Sequence, residues 1–248
     1  MLPVVQLGPL SIQTYPLALL LAGWTALAVG AWAARRLALE GDHIYNAGLY
    51  GLLIGLIASR AGHVIAFWPA YRAQPLEIIG LNPRAFLLWP GIVAGLIVAG
   101  WYVQRHKLPW GTVLDAAAPG ALVGITIGDL GALLAGRAAG AITAAPWAIT
   151  VWGVARHPSQ LYEMLAALVI LAVTLRMLKT REHPGTIAWV GLLGYGLSRW
   201  LLEPFRAEST TVLNGLRVPQ LLGLAATLIA LWALRGNIRS TPPRSEDM

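Results

Sequence analysis

The chain has 248 residues, 57% hydrophobic and 12% charged, where an average soluble domain carries about 25% charged residues. That balance, a mean hydropathy of +0.64 and several long apolar runs argue against a soluble enzyme and for a polytopic helical membrane protein. The formal net charge of +7 is no sign of a nucleic-acid partner, because the cations gather at the ends of apolar runs rather than in one patch.

Seven spans follow in chain order: Tyr15 to Ala34, Ile44 to Trp68, Ala85 to Val103, Gly111 to Leu134, Gln160 to Leu178, Thr186 to Glu203, and Val218 to Leu234. Each is near the ~20 residues that a helix needs to cross a bilayer. The fold class is therefore all-α, with about seven transmembrane helices in one domain over residues 1–240. No basic segment precedes the first run, so no cleavable signal peptide is expected. Odd-numbered spans end in cations: Arg35 and Arg36; Arg105 and Lys107; Arg176, Lys179 and Arg181; Arg235, Arg239 and Arg244. Fewer lie in the opposite segments: Arg72, Arg84, Arg137, Arg156, Arg206 and Arg217. The excess marks the cytoplasmic side, which gives an external N-terminus and a cytoplasmic C-terminus.

External loops are expected at about 69–84 and 135–157, the second carrying Trp147 and Trp152 as interfacial anchors. The polar tail Thr241 to Met248 reads as disordered. Glycines recur within spans, as in Gly48, Gly51 and Gly55 or Gly91, Gly95 and Gly100, and predict close helix packing. There is no internal repeat of the kind that builds many transporters.

Chemistry is expected where charge enters the apolar runs. In YGLSRWLLEPFR (Tyr195 to Arg206), the residues Tyr195, Arg199, Glu203 and Arg206 follow i, i+4, i+8 and i+11 and would form one stripe of a helix. Charges in a span must face one another, water or a charged ligand. Arg60 and His63 lie a turn apart in the second span. Asp115 and Asp129 lie in the fourth, and His157, Gln160 and Glu163 open the fifth, where Pro158 and a capping Ser159 suit a helix start. Internal ion pairs such as Arg60 with Glu203 or Arg199 with Glu163 would account for single residues. A cluster drawn from several spans favours a polar cavity, and arginine forks suit the phosphate of an anionic phospholipid. The five histidines show no paired ligand spacing, and no metal or cofactor is expected. The absence of cysteine excludes disulfides and a cysteine nucleophile on this chain.

RHPSQLYE (Arg156 to Glu163) and YGLSRWLLEPFR resemble two motifs of the bacterial prolipoprotein diacylglyceryl transferase family. LGPLSIQTYPL (Leu7 to Leu17) resembles its opening segment, with Tyr15. SRAGHVIAF resembles its second-span motif around Arg60, Asp115 and Pro119 match an Asp-to-Pro spacing, and Gln220 matches a glutamine of the last span. The resemblance implies transfer of the diacylglyceryl group of phosphatidylglycerol to the thiol of a lipobox cysteine in the signal peptide of a secreted precursor. A thioether forms and glycerol phosphate leaves. It also implies roles: Arg199, Glu203 and His157 in catalysis, and Tyr15, Arg60, Gln160, Glu163, Tyr195, Arg206 and Gln220 in substrate binding.

The chain also departs from the family pattern. Where the family's fourth span reads GR-x-GNF-x-NGE, this chain reads GDLGALLAGRAAG (Gly128 to Gly140). Asp129 replaces the arginine, Ala132 and Ala135 replace two asparagines, and Arg137 replaces the glutamate; Pro90 stands where the third-span histidine is expected. Two readings stay open. One is a working transferase with a rebuilt site, in which His63 or His157 is the base and Asp129 pairs with Arg137. The other is a catalytically altered paralogue that binds phospholipid or a partner without forming a thioether.

Overall fold

The computed structural model describes residues 2–239 other than 9, 81, 83, 84, 138, 182, 208, 213 and 214. The tail Thr241 to Met248, expected to be disordered, lies outside the described residues. A hairpin of β1 (Val4–Leu7) and β2 (Leu10–Gln13) leads into α1 (Thr14–Arg36). Then come α2 (Gly41–Ala66), the short α3 (Trp68–Ala73), a 3-10 turn at Pro75–Ile79, α4 (Leu88–Arg105) and α5 (Trp110–Leu134). A second hairpin, β3 (Ile149–Val151) and β4 (Val154–Arg156), precedes α6 (Ser159–Met177) and α7 (Thr186–Leu202). A 3-10 turn at Glu203–Phe205 and a third hairpin, β5 (Thr211–Val212) and β6 (Leu216–Arg217), connect α7 to α8 (Val218–Arg239).

Among the described residues α1, α2, α4, α5, α6, α7 and α8 lie along the apolar runs. Among the described residues α1, α2, α5, α6 and α8 are long and apolar enough to cross a membrane, and the chain is a multi-pass helical membrane protein. Helix α4 starts later than the Ala85 expected for the third span, with Pro90 in its first turn, where a missing N–H is harmless. The residues before it are held to α2 instead: Ser59 Oγ donates to the Leu87 carbonyl at 2.6 Å, and the Leu87 amide donates back at 3.0 Å.

Helix α1 packs along α5, α2 along α4, and α7 along α8, with α6 against both α5 and α7. The glycine pattern sets two of these crossings. A Cβ at Gly55 would stand 2.9 Å from the Gly91 carbonyl oxygen, and one at Gly95 would stand 2.7 Å from that of Gly51. The backbones of α2 and α4 therefore touch directly, as small residues at this spacing permit. Gly196 and Gly223 do the same for α7 and α8.

At one end of the bundle Ala33, Ala34, Ile44, Val103, Val113, Ala116, Leu178 and Ile187 form a buried apolar cluster. Asp115 lies in the same region, wholly buried. Its Oδ2 accepts from Arg181 Nη1 at 2.8 Å and from the Gly185 amide at 2.7 Å, and its Oδ1 accepts from the Ala188 amide at 2.8 Å. The carboxylate sits at the start of α7, where backbone N–H groups and the helix dipole favour negative charge. Gly185 enters the helix at φ +92°, a conformation that favours glycine. This clamp fixes α7 on α5 at the end opposite the polar stripe.

Candidate functional site

The other end brings together the end of α5, the start of α6 and the end of α7. Helix α5 stops at Leu134, and Gly136 turns the chain at φ +68°. Residues 139–143 then run between two neighbours. The Ala141 amide donates to the Phe205 carbonyl at 2.8 Å, the Ala207 amide to that of Ala139 at 3.2 Å, and the His157 amide to that of Ala141 at 2.9 Å. This small layer of extended backbone sets the distance between the functional helix ends.

The expected stripe holds as far as Glu203 and then leaves the helix. Pro204 has no N–H, so it cannot close the helical bond to the Trp200 carbonyl; Gln220 Nε2 of α8 takes that carbonyl instead, at 3.2 Å. The chain tightens into its 3-10 turn, and Arg206 continues in an extended conformation. Its side chain still returns to the cluster. Arg206 Nη1 donates to both Glu163 oxygens, at 2.7 and 3.0 Å, and Arg199 pairs with the same carboxylate at 3.1 Å. Arg199 also donates to Glu203, which is 1% exposed and accepts a second bond from Ser209. Glu163 thus joins two guanidiniums, and Glu203 holds one of them from the other side. Burial opposes the charge on Arg206, but its bond to Glu163 and the fields of Glu163, Glu203 and Asp129 lift its pKa above the ordinary guanidinium value.

The remaining expected residues divide between this cluster and elsewhere. Gln160 is buried at the first turn of α6 and donates through Nε2 to the Arg137 carbonyl. Tyr15 lies under the Arg137 guanidinium, 4.8 Å from ring centroid to Cζ. His157 sits nearby in an aromatic layer, its Nδ1 3.2 Å from the Tyr162 hydroxyl and its ring edge-on to Phe205. Tyr195, one turn before Arg199, lines an apolar groove of about 350 Å³ between α5 and α7, with Leu114, Ala118, Ala121, Ile125 and Leu192.

Several sequence expectations need correction. Arg60 does not reach Glu203: it donates to the carbonyls of Glu77, Ile78 and Ala85 and lies over the rings of Tyr71 and Phe86. It ties the loop after α3 to α2. His63 belongs to that same corner, with Nδ1 3.1 Å from the Tyr71 hydroxyl. Ser159 is the first residue of α6, with Pro158 in the cap position. Asp129 and Arg137 form no pair: Arg137 lies beyond the end of α5, and its guanidinium rests over the Tyr15 ring.

Sequence reasoning treated Arg217 only as a loop charge, and gave Arg156 no role beyond opening the RHPSQLYE motif. Arg217 Nη1 donates to the carbonyls of Glu203 at 2.6 Å and Arg206 at 3.0 Å, and so braces the turn that presents both residues. Arg156 donates to the Gly140 carbonyl at 3.1 Å. The usable signal for Arg217 is its position on the last residue of a hairpin, next to the start of α8.

The family model described as prolipoprotein diacylglyceryl transferase matches residues 3–235. A phosphatidylglycerol–prolipoprotein diacylglyceryl transferase of Geobacter sulfurreducens is 33% identical, over 91% of this chain and 91% of its own. Its counterpart in Paraburkholderia phymatum is 30% identical over 95% and 94%, and that in Corynebacterium diphtheriae 26% over 93% and 90%. The chain belongs to the prolipoprotein diacylglyceryl transferase family.

Proposed function

We propose that this protein transfers the diacylglyceryl group of phosphatidylglycerol to the cysteine thiol of a lipobox-bearing precursor, within a bacterial plasma membrane. The observation that carries the reading is the pair of part-buried guanidiniums, Arg199 and Arg206, joined through Glu163 at the helix ends. A guanidinium has five N–H donors. Among the described residues Arg206 commits only Nη1 to Glu163, which leaves Nε and Nη2 for a phosphate. Glu203 orients Arg199, and the apolar groove beside Tyr195 suits an acyl chain.

In the step that follows from this arrangement, the thiol gives its proton to a base and the sulfur forms a bond to the glyceryl carbon. The bond from that carbon to the phosphate oxygen breaks, and the oxygen keeps the electron pair as glycerol phosphate leaves. Charge therefore grows on the phosphate, where fixed guanidiniums lower the barrier most. His157, held through Nδ1 by Tyr162, offers Nε2 as the base. Tyr15 and Tyr195 supply hydroxyls to lipid oxygens. Seven spans, an external N-terminus and a cytoplasmic C-terminus complete the reading, supported by the excess of cations on one side. The site then faces the surface where exported precursors emerge.

Rescue of a cell depleted of its own transferase tests the reading. The wild-type chain should restore precursor modification and Arg199→Ala should not. Equal rescue by Arg199→Ala, or none by wild-type protein present in the membrane, counts against it.

A further inference from the structure

Among the described residues three buried side-chain atoms have no hydrogen-bond partner: Asp129 Oδ2, Gln160 Oε1 and Arg156 Nε. All three lie at the functional end. Asp129 is in the last turns of α5, Gln160 in the first turn of α6, and Arg156 ends β4 just before α6. Buried polar groups are nearly always paired in folded proteins, because an orphan forfeits its hydration. Three such atoms share this end of the bundle.

Two of the three are acceptors, and this decides what the ligand carries. A phosphodiester presents only acceptor oxygens. It suits Arg199, Arg206 and Arg156 but gives nothing to Asp129 or Gln160. The headgroup must therefore bear N–H or O–H donors beyond its phosphate. Asp129 feels the fields of Glu163, Arg206 and Arg199, so the acceptors and the arginines share one end of the bundle. A carboxylate forms its strongest hydrogen bonds with a cationic donor.

We propose that Asp129 and Gln160 receive the donor end of the lipid headgroup, and that the site accepts a phosphoethanolamine headgroup as well as a phosphoglycerol one. The primary ammonium places its N–H donors on Asp129 Oδ2 and Gln160 Oε1 while the phosphate rests on the arginines. The glycerol headgroup meets the same acceptors with hydroxyls. Choline, whose nitrogen has no N–H, and phosphatidic acid, which has no distal group, do not. This rests on the phospholipid reading above, and its test uses binding so that the two can fail separately.

The test offers purified protein equal mixtures of phosphatidylethanolamine, phosphatidylglycerol, phosphatidylcholine and phosphatidic acid, and measures retained lipid by native mass spectrometry. The wild-type protein should retain the ethanolamine and glycerol lipids over the other two. Asp129→Asn, close in shape, should lower ethanolamine-lipid retention about tenfold, as expected for one lost charge-assisted bond, and glycerol-lipid retention less. Equal retention of ethanolamine and choline lipids by the wild-type protein overturns the proposal, even if phosphatidylglycerol supports transfer to a lipobox peptide. The predicted order with no transfer from any lipid supports this proposal and counts against the transferase reading. Should Asp129→Asn not fold, the wild-type lipid order alone decides.

Discussion

Replacing Asp115 with alanine tests whether the end of the bundle far from the arginines sets the position of α7. The substitution removes an ion pair and two backbone hydrogen bonds at a wholly buried site. The Gly185 and Ala188 amides lose their acceptor, at about 1–3 kcal/mol each. Arg181 loses its partner, but its side chain is 16% exposed, so water recovers part of the ~3–5 kcal/mol of a broken buried pair. These terms overlap, and a total of roughly 4 kcal/mol follows. For a chain of this size 1 kcal/mol moves the melting temperature by about 2–4 °C, which gives a fall on the order of 10 °C in detergent. Asp115→Asn keeps acceptor capacity but turns an NH₂ group toward one of the donors, and should fall about half as far. A melting temperature for Asp115→Ala within about 2 °C of wild type would refute the role of this clamp.

Three further outcomes follow from the same structure. Gly95→Ala sets a Cβ against the Gly51 carbonyl oxygen and should destabilise the α2–α4 crossing by about 1–3 kcal/mol, read as a lower melting temperature without a change in lipid preference. Arg60→Ala should release the loop after α3, so that the amides of Glu77, Ile78, Ile79, Gly80 and Ala85 exchange with solvent roughly ten- to a hundredfold faster, while transfer falls far less than for Arg199→Ala. Glu163→Gln removes the charge that holds both guanidiniums; phosphatidylglycerol should still be retained, but transfer should drop about tenfold or more as the arginines lose their fixed geometry.

The helices were legible because each apolar run had the length and flanking charge of a span, and the α2–α4 contact because its glycines repeat at helical spacing. The Arg199–Glu163 pair was foreseen as one possible ion pair. The site itself was legible only along single helices. Tyr195, Arg199 and Glu203 could be placed by counting turns, but the departure of Arg206 from the helix depends on Pro204, and the use of Gln220 depends on the carbonyl that Pro204 leaves. The Arg60–Glu203 pair failed because Arg60 donates to backbone carbonyls of a loop, and carbonyls leave no trace in sequence. The same holds for Arg217, whose contacts are made across a hairpin. The Asp129–Arg137 pairing failed because the Arg137 guanidinium lies over the Tyr15 ring of α1, a contact between segments far apart in the chain that spacing does not show. Asp115 could be seen as an in-span charge, but its amide partners on α7 could not.

The most direct test of the account mixes purified protein with phosphatidylglycerol and a lipobox peptide bearing a free thiol, and follows the peptide mass. The account predicts a diacylglyceryl thioether, with one glycerol phosphate released for each, and a loss of at least a hundredfold in Arg199→Ala, about what removing one donor to developing negative charge costs. Folded wild-type protein that retains phosphatidylglycerol and leaves the peptide unmodified would contradict it.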